Sequence, residues 1–210
     1  MKIYLIRHGE TDFNRRGVVQ GGGVDSDLNE LGRKQSEAFF QHYRDIAFDS
    51  IYVSPLKRTH QTMQLWKERL GYALQVEDGL TELGWGVLEG KIPTEEETRD
   101  FYQLKQNWQN GRLDLAVDGG ESPLQCWNRL NRVLDKLKRQ HSEQTILICS
   151  HGRTSRVLLS KLVGDGLHDM ERFNHSNTGL NVLQLGQNDQ FSVELLNDTT
   201  HLNGTGLNEN

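Results

Sequence analysis

The chain has 210 residues, with 24 Lys+Arg against 29 Asp+Glu and a formal charge of −5. Hydrophobic residues make up 35% and charged residues 25%, which excludes a wholly disordered chain and suffices for a core without disulfides. No apolar run approaches the roughly 20 residues of a membrane span. The mild acidity disfavours a general nucleic-acid surface, so an anionic ligand has to be held by a local cluster of positive charge.

In chain order, the segment 2–7 (K-I-Y-L-I-R) predicts a short buried strand. Asn29 is placed to cap a helix whose face carries Leu31, Ala38, Phe39 and Tyr43. Residues 51–53 predict a second strand, and after Ser54-Pro55 a helical stripe runs through Leu56, Met63, Trp66 and Leu70. Thr94 with Glu97 makes a capping box ahead of Phe101, Leu104 and Trp108. Ser122 with Gln125 makes another, with Pro123 at the first helical position and a stripe of Trp127, Leu130, Leu134 and Leu137. The segment 145–149 (T-I-L-I-C) predicts a buried strand, followed by a helical pattern through Val157, Leu158 and Leu162. Segments 181–185 and 191–196 read as two more strands. Strands alternating with helices imply an α/β layered fold with a largely parallel sheet. The expected organisation is one domain over 1–202. Residues 91–118, between Gly90 and Gly119-Gly120, form a helical insert over a site, and the Gly/Asn-rich tail 203–210 is disordered. Cys126 and Cys149 make neither a metal spacing nor a framework of bridges, and no signal-peptide plan is visible; a reducing, cytoplasmic setting is expected.

Two predicted strands end alike. The first runs through Arg7 into His8-Gly9; the one at 145–149 runs through Ser150 into His151-Gly152. Ligands of open α/β sheets bind outside the carboxyl ends of the strands, and a following glycine lets backbone approach closely. The strand at 51–53 leads into S-P-L-K-R, which brings Arg58 to the first turn of a helix on the same edge. Two guanidinium groups and two imidazoles thus converge, a combination that suits phosphate oxygens.

These residues stand in a longer pattern. R-H-G-E-T at 7–11 with Asn14 shortly after, Gln20-Gly21, L-N-E-L-G at 28–32 and S-P-L-K-R-T-H-Q-T at 54–62 are followed by L-T-E-L-G-W-G-V-L-E-G at 80–90, G-E-S at 120–122 and S-H-G at 150–152. The set resembles the histidine phosphatase superfamily, the phosphoglycerate mutase-like proteins, in that family's order and over most of the chain. The resemblance implies a three-layer α/β/α sandwich with a mostly parallel central sheet and a small helical insert over the site. It implies His8 as the nucleophile that forms a phosphohistidine, which needs an unprotonated ring nitrogen and an acceptor for the other. Arg7, Arg58 and His151 would hold the phosphoryl oxygens and Asn14 would add an amide donor, with Thr11, Gln20, Gly21 and Gly152 lining the pocket. Glu82 would protonate the leaving oxygen and then activate water, starting from its protonated form. Glu89 reads as structural, holding its loop through backbone amides.

Four readings compete. The resemblance favours a phosphomonoesterase acting on a small phosphorylated metabolite, with no cofactor, no metal, no nucleic acid and no membrane partner, a homodimer being left open. The alternative is a phosphoglycerate mutase dependent on 2,3-bisphosphoglycerate. Mutases of the family carry a longer insert with basic residues and a basic, tyrosine-containing run after the acid, where this chain has Leu83-Gly84-Trp85. A non-catalytic phospho-ligand-binding member would be expected to lose one of His8, Arg7, Arg58, Glu82 or His151. A metallophosphatase would need a ligand cluster that the sequence does not offer. Asp27 stands where the family commonly has proline and adds negative charge at the pocket mouth. Trp85 could stack on the leaving group or pack in the core, and Phe101, Tyr102 and Trp108 could line the substrate pocket. Ser122 reads as an N-cap. His201 reads as an ordinary polar residue, and His42, His60, His141 and His168 as surface or packing groups.

Overall fold

The computed structural model describes residues 1–207. Its centre is a six-stranded sheet made of β1 (Lys2–Arg7), β2 (Ser50–Val53), β3 (Leu74–Val76), β4 (Thr145–Ser150), β5 (Leu180–Leu185) and β6 (Phe191–Asp198), in the order β3-β2-β4-β1-β5-β6. Strands β3, β2, β4 and β1 are mutually parallel, whereas β5 runs antiparallel to β1 and β6 antiparallel to β5. The helices are α1 (Asp12–Arg15), α2 (Glu30–Tyr43), α3 (Lys57–Thr62), α4 (Gln64–Leu70), α5 (Glu95–Gln109), α6 (Pro123–Gln140) and α7 (Gly152–Leu162).

Alternation along the strands divides the core in two. Ile3 and Leu5 of β1 join one apolar cluster with Leu130 and Leu134 of α6 and Val157 and Leu158 of α7. Ile6 faces the other side, with Phe39 and Phe40 of α2 and Met63 and Trp66 of the α3–α4 pair. Helices therefore cover both faces of the sheet, the three-layer arrangement expected. The caps also form as the sequence predicts. Asn29 accepts from Gly32 N, and Thr94 and Ser122 complete reciprocal capping boxes with Glu97 and Gln125.

Three features differ from expectation. The stripe after Ser54-Pro55 is two short helices broken at Met63, and Leu70 is exposed. Thr62 Oγ1 donates to the Arg58 carbonyl 2.6 Å away, a side-chain bond of the kind that bends helices. Strand β3, three residues on the sheet edge, is too short to give a hydrophobic period. Residues 203–206, in the tail expected to be disordered, form a turn, and Gln35 Nε2 donates to Leu207 O at 3.1 Å; the rest of that tail, 208–210, lies outside the described residues. Among the described residues no helix is long and apolar enough to cross a membrane.

Candidate active site

Sheet order explains why distant residues meet. Strands β2, β4 and β1 are neighbours and point the same way, with Arg7 paired to Ser150 and Val53 to Cys149. The next residues out, Ser54, His151 and His8, therefore leave the sheet side by side. The His8 and His151 rings lie 5.2 Å apart, centroid to centroid.

His8 is buried, and its Nδ1 lies 2.7 Å from Gly9 O. A carbonyl only accepts, so Nδ1 carries the proton and Nε2 keeps its lone pair. Burial, then the positive charges of Arg58 and Arg7, hold the ring's pKa well below its ordinary 6.5. The backbone around it is tied down: His8 N donates to Ser150 O at 3.1 Å, Thr178 N to Arg7 O at 3.1 Å, and Asn177 Nδ2 to His8 O at 2.8 Å. Gly9 N donates to Thr62 Oγ1. A side chain at Gly9 would begin 2.5 Å from Gly32 O, so the loop and the start of α2 approach at a distance that requires glycine.

Arg58 is fully buried. Its Nε donates to His151 Nδ1 at 3.2 Å, and its terminal nitrogens reach Val24 O at 2.6 Å and Gly21 O at 3.4 Å. Burial lowers its pKa to about 10, which leaves it charged at neutral pH. His151 Nδ1 must accept from Arg58, so Nε2 is protonated and donates to Ser54 Oγ at 2.7 Å. While both contacts hold, both ring nitrogens of His151 are engaged, one by Arg58 and one by Ser54. Arg7 donates to the carbonyl of His175 at 2.8 Å, and its Nε lies 3.4 Å from where a Gly152 Cβ would be.

Glu82 is buried at the N-terminus of α7, whose N-cap residue, His151, makes no side-chain cap. Its Oε1 accepts from Leu83 N at 2.8 Å, Thr154 N at 2.9 Å and Thr154 Oγ1 at 3.0 Å; its Oε2 accepts from Arg153 N at 3.1 Å. The first turn of a helix provides such donors and favours negative charge.

The remaining predicted residues form the floor. Thr11 and Asn14 make a reciprocal cap in which the Asn14 amide oxygen faces Thr11 N at 3.1 Å, so Nδ2 is the end able to serve a phosphoryl oxygen. Gln20 Nε2 donates to Thr11 Oγ1 at 2.8 Å, and its oxygen accepts from Ser26. Glu89 takes Trp85 N at 2.8 Å and Gly23 N at 2.9 Å, holding the two loops together through backbone amides. A Cβ on Gly21 would fall 1.9 Å from its Oε1. Asp27, exposed at the edge, accepts from Gln61 at 2.7 Å. Glu121 forks with Arg129, and Ser122 is an N-cap.

Beside this floor, Val19, Gln20, Trp85, Leu88, Phe101 and Tyr102 help to line a cavity of about 360 Å³ that also reaches Lys105 and Glu97. Trp85 meets Phe101 edge-on at 5.2 Å, and the Arg153 guanidinium lies over Trp85 and Trp108 at 5.6 and 5.7 Å. Arg153, Arg156 and Lys105 all pair with Glu171, which ties α5 to α7. Trp108 is core, its Nε1 donating to Leu115 O at 2.9 Å. Among the described residues, no group of three or more His, Cys, Asp or Glu is arranged to hold a metal ion.

Several residues of the site were not singled out in the sequence. Ser54, Thr154, Asn177 and Thr178 act through hydroxyls, amides and backbone, which carry no charge pattern. His201, expected as an ordinary polar residue, is buried with Nε2 3.0 Å from Thr178 Oγ1, one step behind the His8 backbone. His175 is buried too, its Nε2 3.0 Å from Asn181 Nδ2.

The model of the histidine phosphatase superfamily (branch 1) matches residues 3–199. The chain belongs to this family. Phosphoserine phosphatase 1 of Hydrogenobacter thermophilus is 30% identical over 202 residues, 96% of this chain and 94% of that one. A probable phosphoglycerate mutase GpmB of Yersinia pestis is 30% identical over 213 residues, covering 100% of this chain and 98% of that one. The crystal structure of the α-ribazole phosphatase from Shigella flexneri has the same fold, with a TM-score of 0.81 at 24% identity over 95% of this chain and 97% of that one. In this histidine phosphatase the family motifs lie where β1, β2 and β4 end, and the 80–90 motif closes the pocket from the side of α7.

Proposed function

We propose that this protein is a phosphomonoesterase that hydrolyses a small phosphorylated metabolite through a phosphohistidine on His8 Nε2. The observation that carries the reading is the state of His8: neutral by burial beside two guanidinium groups, with Nδ1 committed to Gly9 O at 2.7 Å. That is the condition for an imidazole nucleophile. Arg7 and Arg58 supply the charge that a phosphoryl group meets in the transition state. Glu82 protonates the leaving oxygen and then takes the proton of the attacking water.

The adjoining cavity supports a small substrate. At about 360 Å³, it has the size of a metabolite pocket, and its aromatic walls suit the organic part of an ester. Hydrolysis is favoured over mutase chemistry by the state of the two lysines in the 91–118 stretch. Lys91 is paired with Glu97 at 2.6 Å and Lys105 with Glu171 at 2.8 Å, so neither is set aside for the carboxylate of a phosphorylated sugar acid.

The test follows phosphate release from an aryl phosphate in the presence of a strong chelator, and 3- to 2-phosphoglycerate conversion in parallel. Phosphate release should proceed and be lost in His8→Ala, while Glu82→Gln should slow it by about a hundredfold or more. Fast isomerisation with negligible phosphate release would reverse the assignment, and unimpaired hydrolysis by His8→Ala would remove the nucleophile.

A further inference from the structure

Glu82 is held by groups of two kinds. The amides of Leu83, Arg153 and Thr154 can only donate, and none can turn. The Thr154 hydroxyl differs. It is buried, 3.0 Å from Glu82 Oε1 and 2.8 Å from Thr81 O. A hydroxyl has one proton, so it donates to one of these oxygens at a time. The two carboxyl oxygens are also unequal: Oε1 receives three donors, whereas Oε2 receives Arg153 N. Oε2 is therefore the oxygen better able to carry a proton.

We propose that Thr154 is a positioning residue whose hydroxyl turns between Thr81 O and Glu82 Oε1 as Glu82 loses and regains its proton. This rests on the reading of Glu82 as acid and base. In the first half-reaction the bond from His8 Nε2 to phosphorus forms, the ester P–O bond breaks, and the proton on Glu82 Oε2 passes to the leaving oxygen. Oε1 then shares a negative charge and becomes the stronger acceptor, so the hydroxyl turns to it. In the second half-reaction water oxygen bonds to phosphorus, the N–P bond breaks, and a water proton returns to Oε2. Oε1 becomes a neutral acceptor and the hydroxyl swings back to Thr81 O. The surrounding charges do not move with the cycle. Arg58, Arg129 and Arg156 act on Glu82 electrostatically, and the neighbouring Cys126 thiol, its pKa pushed by burial to about 12, stays neutral.

The experiment compares Thr154→Val, which keeps the shape, with Thr154→Ser, which keeps the hydroxyl, on an alkyl phosphate whose poor leaving group needs the acid. Thr154→Val should lower kcat about tenfold with KM within about twofold, and Thr154→Ser should restore most of the rate. On a Glu82→Gln background, Thr154→Val should add little further loss. A Thr154→Val enzyme with wild-type kcat, a Thr154→Ser enzyme as slow as Thr154→Val, or a loss that adds fully to Glu82→Gln each overturns the proposal. The Ser variant and the double mutant decide the matter even if the valine disturbs folding. Wild-type enzyme without turnover, or full turnover by His8→Ala, instead overturns the phosphatase reading on which the proposal stands.

Discussion

The Ser54 hydroxyl lies 2.7 Å from His151 Nε2 and also accepts from Leu56 N at 3.2 Å. Replacing it with Ala strands a buried imidazole N–H, at a cost of about 1–3 kcal/mol. The ring is then free to turn, and Arg58 loses the partner that sets its Nε. Ser54→Ala should therefore lower kcat/KM more than a stability loss explains, measured at a temperature where both enzymes are fully folded. Equal kcat/KM would mean that Arg58 is positioned by Val24 and Gly21 alone. Ser54 also marks where sequence reading stops. His8, Arg7, Arg58 and His151 were legible because charged or titratable side chains directly follow strands or begin helices. Ser54 and Thr154 belong to the same site, but a hydroxyl without charge or period leaves no trace until its acceptor is in place. His151 was legible as a site residue, yet the contacts of its ring nitrogens with Arg58 and Ser54 were not.

Among the elements, α5 is where the leaving group would be sensed. Phe101 packs edge-on against Trp85 and lines the cavity, while Tyr102 stands 59% exposed at its rim. Phe101→Ala should raise KM for esters with a ring in the alcohol part and leave small alkyl phosphates nearly unchanged, because the proposed phosphate-binding residues Arg7, His8 and Arg58 lie on other elements. A uniform loss on both classes would assign Phe101 to folding instead. The capping boxes of α5 and α6 were readable since both partners lie three residues apart. Strand β3 was not, because it forms by pairing with β2 and not from its own pattern. The break at Met63 was hidden for a related reason: it depends on Thr62 bonding back to Arg58 O while accepting from Gly9 N, a long-range contact.

For the whole molecule, the buried histidines tie stability to acidity. His8 and His151 are held well below 6.5 by burial and neighbouring arginines, and burial takes His175 to about 3 and His201 to about 4. Unfolded imidazoles take up protons below about 6.5, while these stay neutral in the fold. The unfolded state then binds more protons, so stability falls as pH falls, by about 1.4 kcal/mol per pH unit for each such group. The decline starts near 6.5 and runs toward each folded value. Melting temperature should drop steeply between pH 6.5 and pH 5; an unchanged value over that range would mean that the rings are solvated. The alternation of strands and helices announced the layered sheet, but the reversal at β5 was not announced, since antiparallel pairing with β1 leaves the same apolar run as parallel pairing would.

That reversal has a consequence for how the enzyme fails. With β4 on one side of β1 and β5 on the other, the amide of His8 and the carbonyl of Arg7 are latched to Ser150 and Thr178. His8, the proposed nucleophile, thus hangs from the innermost ladder, where amide protons exchange with solvent only through global opening. Deuterium uptake at residues 5–8 should match the slowest sites of the chain, and urea should extinguish chemistry and tertiary structure in one transition. Fraying of α5, by contrast, should blunt selectivity long before it silences the phosphorus chemistry.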